Sequence, residues 1–93
     1  MTKINWKKYN KDLTKIDLSY KNITEINWGN YDEDVTEIIL QNKNITELVW
    51  KGCPKNLTCI DLSNNQIKEI IWEDCPKSLT TIYLGYNKIQ SMV

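Results

Sequence analysis

Residues 57–78 read LTCIDLSNNQIKEIIWEDCPKS, and nearly the same 22 residues stand before them twice, as 13–34 and 35–56. A shortened copy, 79–93, follows without a gap. Residues 1–12 repeat only the second half of the unit, with Thr2, Ile4 and Trp6 matching Thr24, Ile26 and Trp28. Self-similarity at a fixed period of about 20 to 50 residues marks a stack of small units, each unable to bury its apolar face without its neighbours. The expected organisation is a single repeat domain over 1–93: a half-repeat 1–12, repeats 13–34, 35–56 and 57–78, and a partial repeat 79–93.

Numbered within the unit, positions 1, 4, 6, 11, 14 and 16 are apolar in every full copy. In the third copy they are Leu57, Ile60, Leu62, Ile67, Ile70 and Trp72. The last copy supplies Leu79, Ile82, Leu84, Ile89 and Met92, and the opening half-unit Met1, Ile4 and Trp6. Positions 4 and 6 alternate with polar neighbours in TKIDLS, TEIILQ, TCIDLS and TTIYLG, the period-2 pattern of a strand with one buried face. Strands that recur in the same sense once per unit must pair in parallel. The return path between them is too short and irregular for a crossover helix. Positions 14 and 16 alternate as well, in EINW, ELVW and EIIW, so the return path is expected to hold a second extended piece that turns its Ile and Trp inward. Gly29, Gly52, Pro54 and Pro76 mark the turns back to position 1.

The segments LTCIDLSNNQIKEI and LTTIYLGYNKIQSM resemble the leucine-rich repeat pattern LxxLxLxxNxLxxL, with Ile freely replacing Leu and with Asn65 and Asn87 at position 9. The resemblance covers all the full copies. The trailing segment, with its Trp and its Cys-Pro-Lys, is similar to the short repeats of protist, large DNA virus and bacterial proteins. The resemblance implies a mainly β solenoid: a right-handed coil with a short parallel sheet on its concave face, an irregular or extended return path, and protein binding on the concave side. Members of the family use the position-9 Asn to satisfy backbone groups of adjacent turns. The first two copies carry Lys21 and Lys43 there, so the Asn ladder is expected to be interrupted, with Asn22 and Asn44 as alternative partners.

Twelve lysines, no arginine, and twelve Asp and Glu give a formal charge of zero. Without a basic excess, neither a nucleic-acid backbone nor an anionic membrane is favoured as a partner. No run approaches the roughly 20 apolar residues of a membrane span, and the first twelve residues have no apolar segment behind their lysines. An intracellular, cytoplasmic location is therefore expected. The chain has no His, no Gly-rich phosphate loop and no paired acid and base at a plausible cleft. A non-catalytic chain without a cofactor or metal site is the expectation.

Three cysteines in a chain without an export signal argue for reduced thiols. Cys53 and Cys75 share one unit position and should stack in the core. Stacked equivalents point the same way, which holds their Cβ atoms near ~5 Å rather than the ~3.8 Å of a disulfide. Cys59 falls on the outer sheet face and is the expected reactive thiol. The column Trp6, Trp28, Trp50 and Trp72 has the inward parity of Ile26, Leu48 and Ile70 and reads as core rather than as a ligand platform. Glu25, Glu47 and Glu69 stack without further oxygen ligands, so a solvated edge is a better reading than a calcium site. The sequons at Asn22, Asn44 and Asn56 are by-products of copying an Asn- and Thr-rich unit. Glu33 would sit between Lys11 and Lys55 as a surface charge ladder.

The buried columns repeat faithfully, whereas the outward ones vary. Position 3 carries Lys15, Glu37, Cys59 and Thr81; position 5 carries Asp17, Ile39, Asp61 and Tyr83; position 8 carries Tyr20, Asn42, Asn64 and Tyr86. A surface that reads a partner explains this variation, and so does relaxed constraint at solvent-facing positions. The expected function is a protein-protein interaction module with Tyr20, Ile39, Asp61, Tyr83 and Tyr86 as partner-binding residues. The alternative is a structural or self-associating piece of a longer solenoid, joined through uncapped, apolar-backed edges.

Overall fold

A computed structural model describes residues 14–19, 26, 28 and 34–92. Seven short strands follow one another: β1 Lys15–Asp17, β2 Glu37–Ile39, β3 Glu47–Val49, β4 Cys59–Asp61, β5 Glu69–Ile71, β6 Thr81–Tyr83 and β7 Ser91–Met92. They form two parallel sheets, one in the order β1-β2-β4-β6 and the other β3-β5-β7. The first holds positions 3 to 5 of each unit, the second positions 13 to 15. Ile16 registers with Ile38, Ile38 with Ile60 and Ile60 with Ile82, so neighbouring strands are offset by one whole unit. The second extended piece predicted on the return path is thus a sheet in its own right. No α-helix occurs among the described residues, and the fold is a mainly β repeat stack.

Period-2 strands send their middle residues inward, and the core is assembled from the predicted columns. Val35, Ile38, Leu40, Ile45, Leu48 and Trp50 are buried in one turn and Leu57, Ile60, Leu62, Ile67 and Ile70 in the next. At about 1.5 to 3 kcal/mol for each fully buried large apolar side chain, these columns supply the main driving force of folding. Trp28 and Trp50 are buried as expected. Trp72 is only partly buried, and its ring stacks on that of Trp50 with centroids 5.8 Å apart and 24° between planes. Leu79, Ile82, Leu84 and Ile89 are likewise half-buried, because among the described residues they pack against the turn 57–78 on one side only. Trp6 and the whole half-repeat 1–12 lie outside the described residues.

Two polar ladders bind the turns. Threonine occupies position 2 in every full copy and the partial one, and each hydroxyl donates to the carbonyl of the threonine one turn earlier: Thr36 to Thr14 (3.2 Å), Thr58 to Thr36 (3.0 Å) and Thr80 to Thr58 (3.1 Å). Asn65 is buried; its Nδ2 donates to the carbonyls of Leu40 (2.8 Å), Leu62 (2.9 Å) and Ser63 (3.3 Å), while its Oδ1 accepts from the Ile45 amide (3.2 Å). Asn87 repeats the pattern with Leu62, Leu84, Gly85 and the Ile67 amide.

At Lys43 this ladder is altered, and the Asn found inside is two residues before the expected Asn44. Asn44 is exposed, whereas Asn42 at position 8 is buried, 3% exposed, which corrects the outward placement of Asn42. In the third and fourth copies the left-handed residue is position 8, Asn64 at φ 61° and Tyr86 at φ 57°; in the second it is position 9, Lys43 at φ 70°. The bend has slipped by one residue. The reason is solvation: a lysine cannot leave its ammonium in the interior, so the bend moves onto Lys43, which stays exposed, and carries the neighbouring Asn inside. Lys21, Asn22 and Glu33 lie outside the described residues.

Candidate interaction surface

The outer face of the four-stranded sheet carries the side chains that flank each buried isoleucine. Lys15 faces Glu37 across the β1–β2 register, with Nζ 3.8 Å from Oε2; an exposed pair of this kind contributes about 0 to 1 kcal/mol. Ile39 registers with Asp61, and Asp61 with Tyr83, so these three predicted residues do form one column. Tyr83 is 53% exposed, and Tyr86, three residues on, is 86% exposed. Ile39 is half-buried, a correction to its expected full exposure: the cross-strand neighbours of a central strand cover part of its surface. Tyr20 lies outside the described residues.

Asp61 is less available than its outward position implied. One carboxylate oxygen accepts from the Ser63 amide (3.0 Å) and the other from the Gln41 side-chain amide (2.8 Å). Asp17 makes the same turn contact with the Ser19 amide (3.0 Å). Position 5 therefore has a local duty wherever it is Asp, shaping the chain as it leaves the strand, and is released from it at Ile39 and Tyr83. The spacing Asp-x-Ser in DLS, shared by the first and third copies, is the signal that discloses this duty.

Tyr86 has a second peculiarity. It holds a left-handed φ where the equivalent residue one turn earlier is Asn64. Asn tolerates that region, whereas for a bulky side chain it is strained. A strained, almost wholly exposed aromatic gains nothing from packing in the free protein.

The thiols differ from expectation. Cys53 is buried, but Cys75 and Cys59 are half-buried. Burial pushes the Cys59 thiol up, and the carboxylates of Glu37 and Asp61 add to the effect, so the outer sheet face opposes a thiolate instead of activating one. Burial also raises Cys75. Cys53 is pushed up to about 11, first by burial and then by Cys75 and Asp74. A raised folded pKa stabilises the fold below the unfolded value near 9, and that contribution is lost as the pH climbs through the folded one. The thermal midpoint is expected to fall between about pH 9 and pH 11, and Cys53→Ala should flatten this part of the profile. An identical alkaline slope in Cys53→Ala would show that other groups cause it.

Residues 55–92 match the family model described as Leucine Rich repeats (2 copies). This stretch carries leucine-rich repeats. The matched stretch takes in β4 to β7, and the same strand register continues back through β2 to β1. No curated protein and no solved structure matches the chain. Leucine-rich-repeat domains are generally protein-protein interaction modules and typically not enzymes. Among the described residues, no three His, Cys, Asp or Glu side chains gather as a metal site would require.

Proposed function

We propose that this leucine-rich-repeat protein is a non-catalytic, intracellular interaction module that binds a protein partner through the sheet β1-β2-β4-β6, the concave face by resemblance to the family. The contact centres on Tyr83, Tyr86 and Ile39, with Asp61 between Ile39 and Tyr83 as a polar guide. The observation that carries this reading is Tyr86: a tyrosine 86% exposed, on a strained backbone, beside a second exposed tyrosine. Tyrosines supply large contact area at low entropic cost and are enriched among the residues that dominate binding energy.

The test is capture of partners from a lysate of the source organism by wild type and by Tyr83→Ala with Ile39→Ser. Capture is expected to be lost, while the thermal midpoint falls only modestly: Tyr83 is exposed, but half-buried Ile39 contributes some packing. Retained capture, together with its loss when Val49 and Ile71 are changed to Ser, would move the contact to the outer face of the sheet β3-β5-β7, where Val49 is 41% exposed.

One observation favours a second reading, self-association or stacking with further repeats: Leu79, Ile82, Leu84 and Ile89 are half-buried where Leu57, Ile60, Leu62 and Ile67 are fully enclosed. A strand edge backed by apolar side chains invites another strand. Light scattering of the same double mutant separates the two, because association through that end would survive the loss of Tyr83 and Ile39.

A further inference from the structure

At the corner between the sheet β3-β5-β7 and the start of the next unit, two successive turns bend in the same way. The Cys53 amide donates to the Trp50 carbonyl (2.9 Å) and Cys75 to Trp72 (3.0 Å); Leu57 then donates to Pro54 (3.3 Å) and Leu79 to Pro76 (3.2 Å). Both corners use a left-handed residue at the same unit position, Gly52 at φ 86° and Asp74 at φ 65°. Between them lies a groove of about 580 Å³ walled by Trp50, Cys53 and Pro76. That volume is in the range of small-ligand sites.

The rim of this groove is cationic. Lys51, Lys55 and Lys77 line it against one carboxylate, Asp74. All three lysines are exposed, and none makes an ion pair among the described residues, where the single salt bridge is Lys15 with Glu37. Lys55 and Lys77 hold the same unit position in adjacent turns, so their backbones are about one strand spacing apart, roughly 4.8 Å, with like charges side by side. The wall residue Trp50 is itself fully buried, with its Nε1 closed off from the groove, so its indole signal reports on occupancy without touching the occupant.

We propose that this corner binds a small organic anion, an apolar or aromatic body with a carboxylate or phosphate group. The body would lie against Cys53 and Pro76, and the charged end would meet Lys51, Lys55 and Lys77. Charge complementarity selects the occupant: a neutral molecule leaves the stacked lysines unrelieved, and a cation adds to their repulsion. The site lies at the corner between the sheets, in residues separate from those assigned to the protein-binding face, and does not depend on that assignment.

The test is a titration of the full chain with 2-naphthoate, 2-naphthyl phosphate and the neutral 2-naphthamide, followed by the indole N–H resonances in a nitrogen-proton correlation spectrum. Saturable movement of the Trp50 signal is expected with either anion, and which of the two binds more tightly identifies the charged group. The amide should leave the signal in place. K51Q/K55Q/K77Q should weaken binding roughly tenfold, from the loss of three screened charge contacts, with an unchanged thermal midpoint. Equal binding of 2-naphthamide, undiminished binding in the triple variant, or shifts that never saturate would each overturn the proposal.

Discussion

Trp50→Ala is expected to cost about 3 to 5 kcal/mol, the range for removing a large aromatic from a close-packed core. Trp50 is fully buried and its ring stacks on Trp72, so its loss opens a cavity between turns that short strands and tight corners cannot close. Domains of this size shift by roughly 4 to 8 °C per kcal/mol, and their total stability is about 5 to 15 kcal/mol. A large fall in the thermal midpoint, or failure to fold, follows. Trp50→Phe separates the causes: it keeps much of the apolar volume and removes the buried Nε1 that lacks an acceptor, so it should cost far less than Ala. Iodide quenching supplies an independent check, since Trp28 and Trp50 should be shielded and the half-buried Trp72 reached. Equal costs for Phe and Ala, or full quenching of Trp50 in the folded protein, would contradict this account of the core.

Asn65→Ala should be the most damaging change of a single polar side chain. It removes the buried amide that bridges two turns, leaving the Ile45 amide without its acceptor, while the Leu40 carbonyl loses one of two donors and keeps the Asn42 amide. The orphaned amide costs about 1 to 3 kcal/mol and the bonds lost to the carbonyls add to it, so a loss of about 3 kcal/mol is expected in denaturant unfolding. Asn65→Asp should be no better at neutral pH. A carboxylate cannot donate, and its charge would face the carbonyls of Leu40, Leu62 and Ser63. Burial raises the folded pKa of such a carboxyl, so any recovery of the Asp variant should appear as the pH falls and disappear as it rises. Asn87 makes the same contacts in a less buried setting, so Asn87→Ala should cost less. A loss below about 1 kcal/mol for Asn65→Ala would mean that water replaces the amide without penalty.

The repeat and its apolar parity sufficed to place Ile38, Leu48, Trp50, Ile60 and Ile70 inside and to predict parallel strands in one-unit register. A periodic chain can bury periodic columns only by stacking them, and no long-range information is needed beyond the period itself. The threonine column and the Asp-x-Ser turns were equally visible in the letters, though their meaning required knowing which carbonyls and amides they reach. Tertiary structure alone decided the slip of the bend at Lys43, which brought Asn42 inside, because the choice between neighbouring residues depends on the cost of burying an ammonium against an adjacent turn. It alone showed Asp61 committed to Ser63 and Gln41, Ile39 half-covered by its cross-strand neighbours, and Tyr86 exposed on a left-handed backbone. The groove at Trp50 belongs to this second class as well: its walls and its lysines come from different turns, and their convergence follows from the pitch of the stack and the geometry of its corners, neither of which is written in any one copy of the repeat.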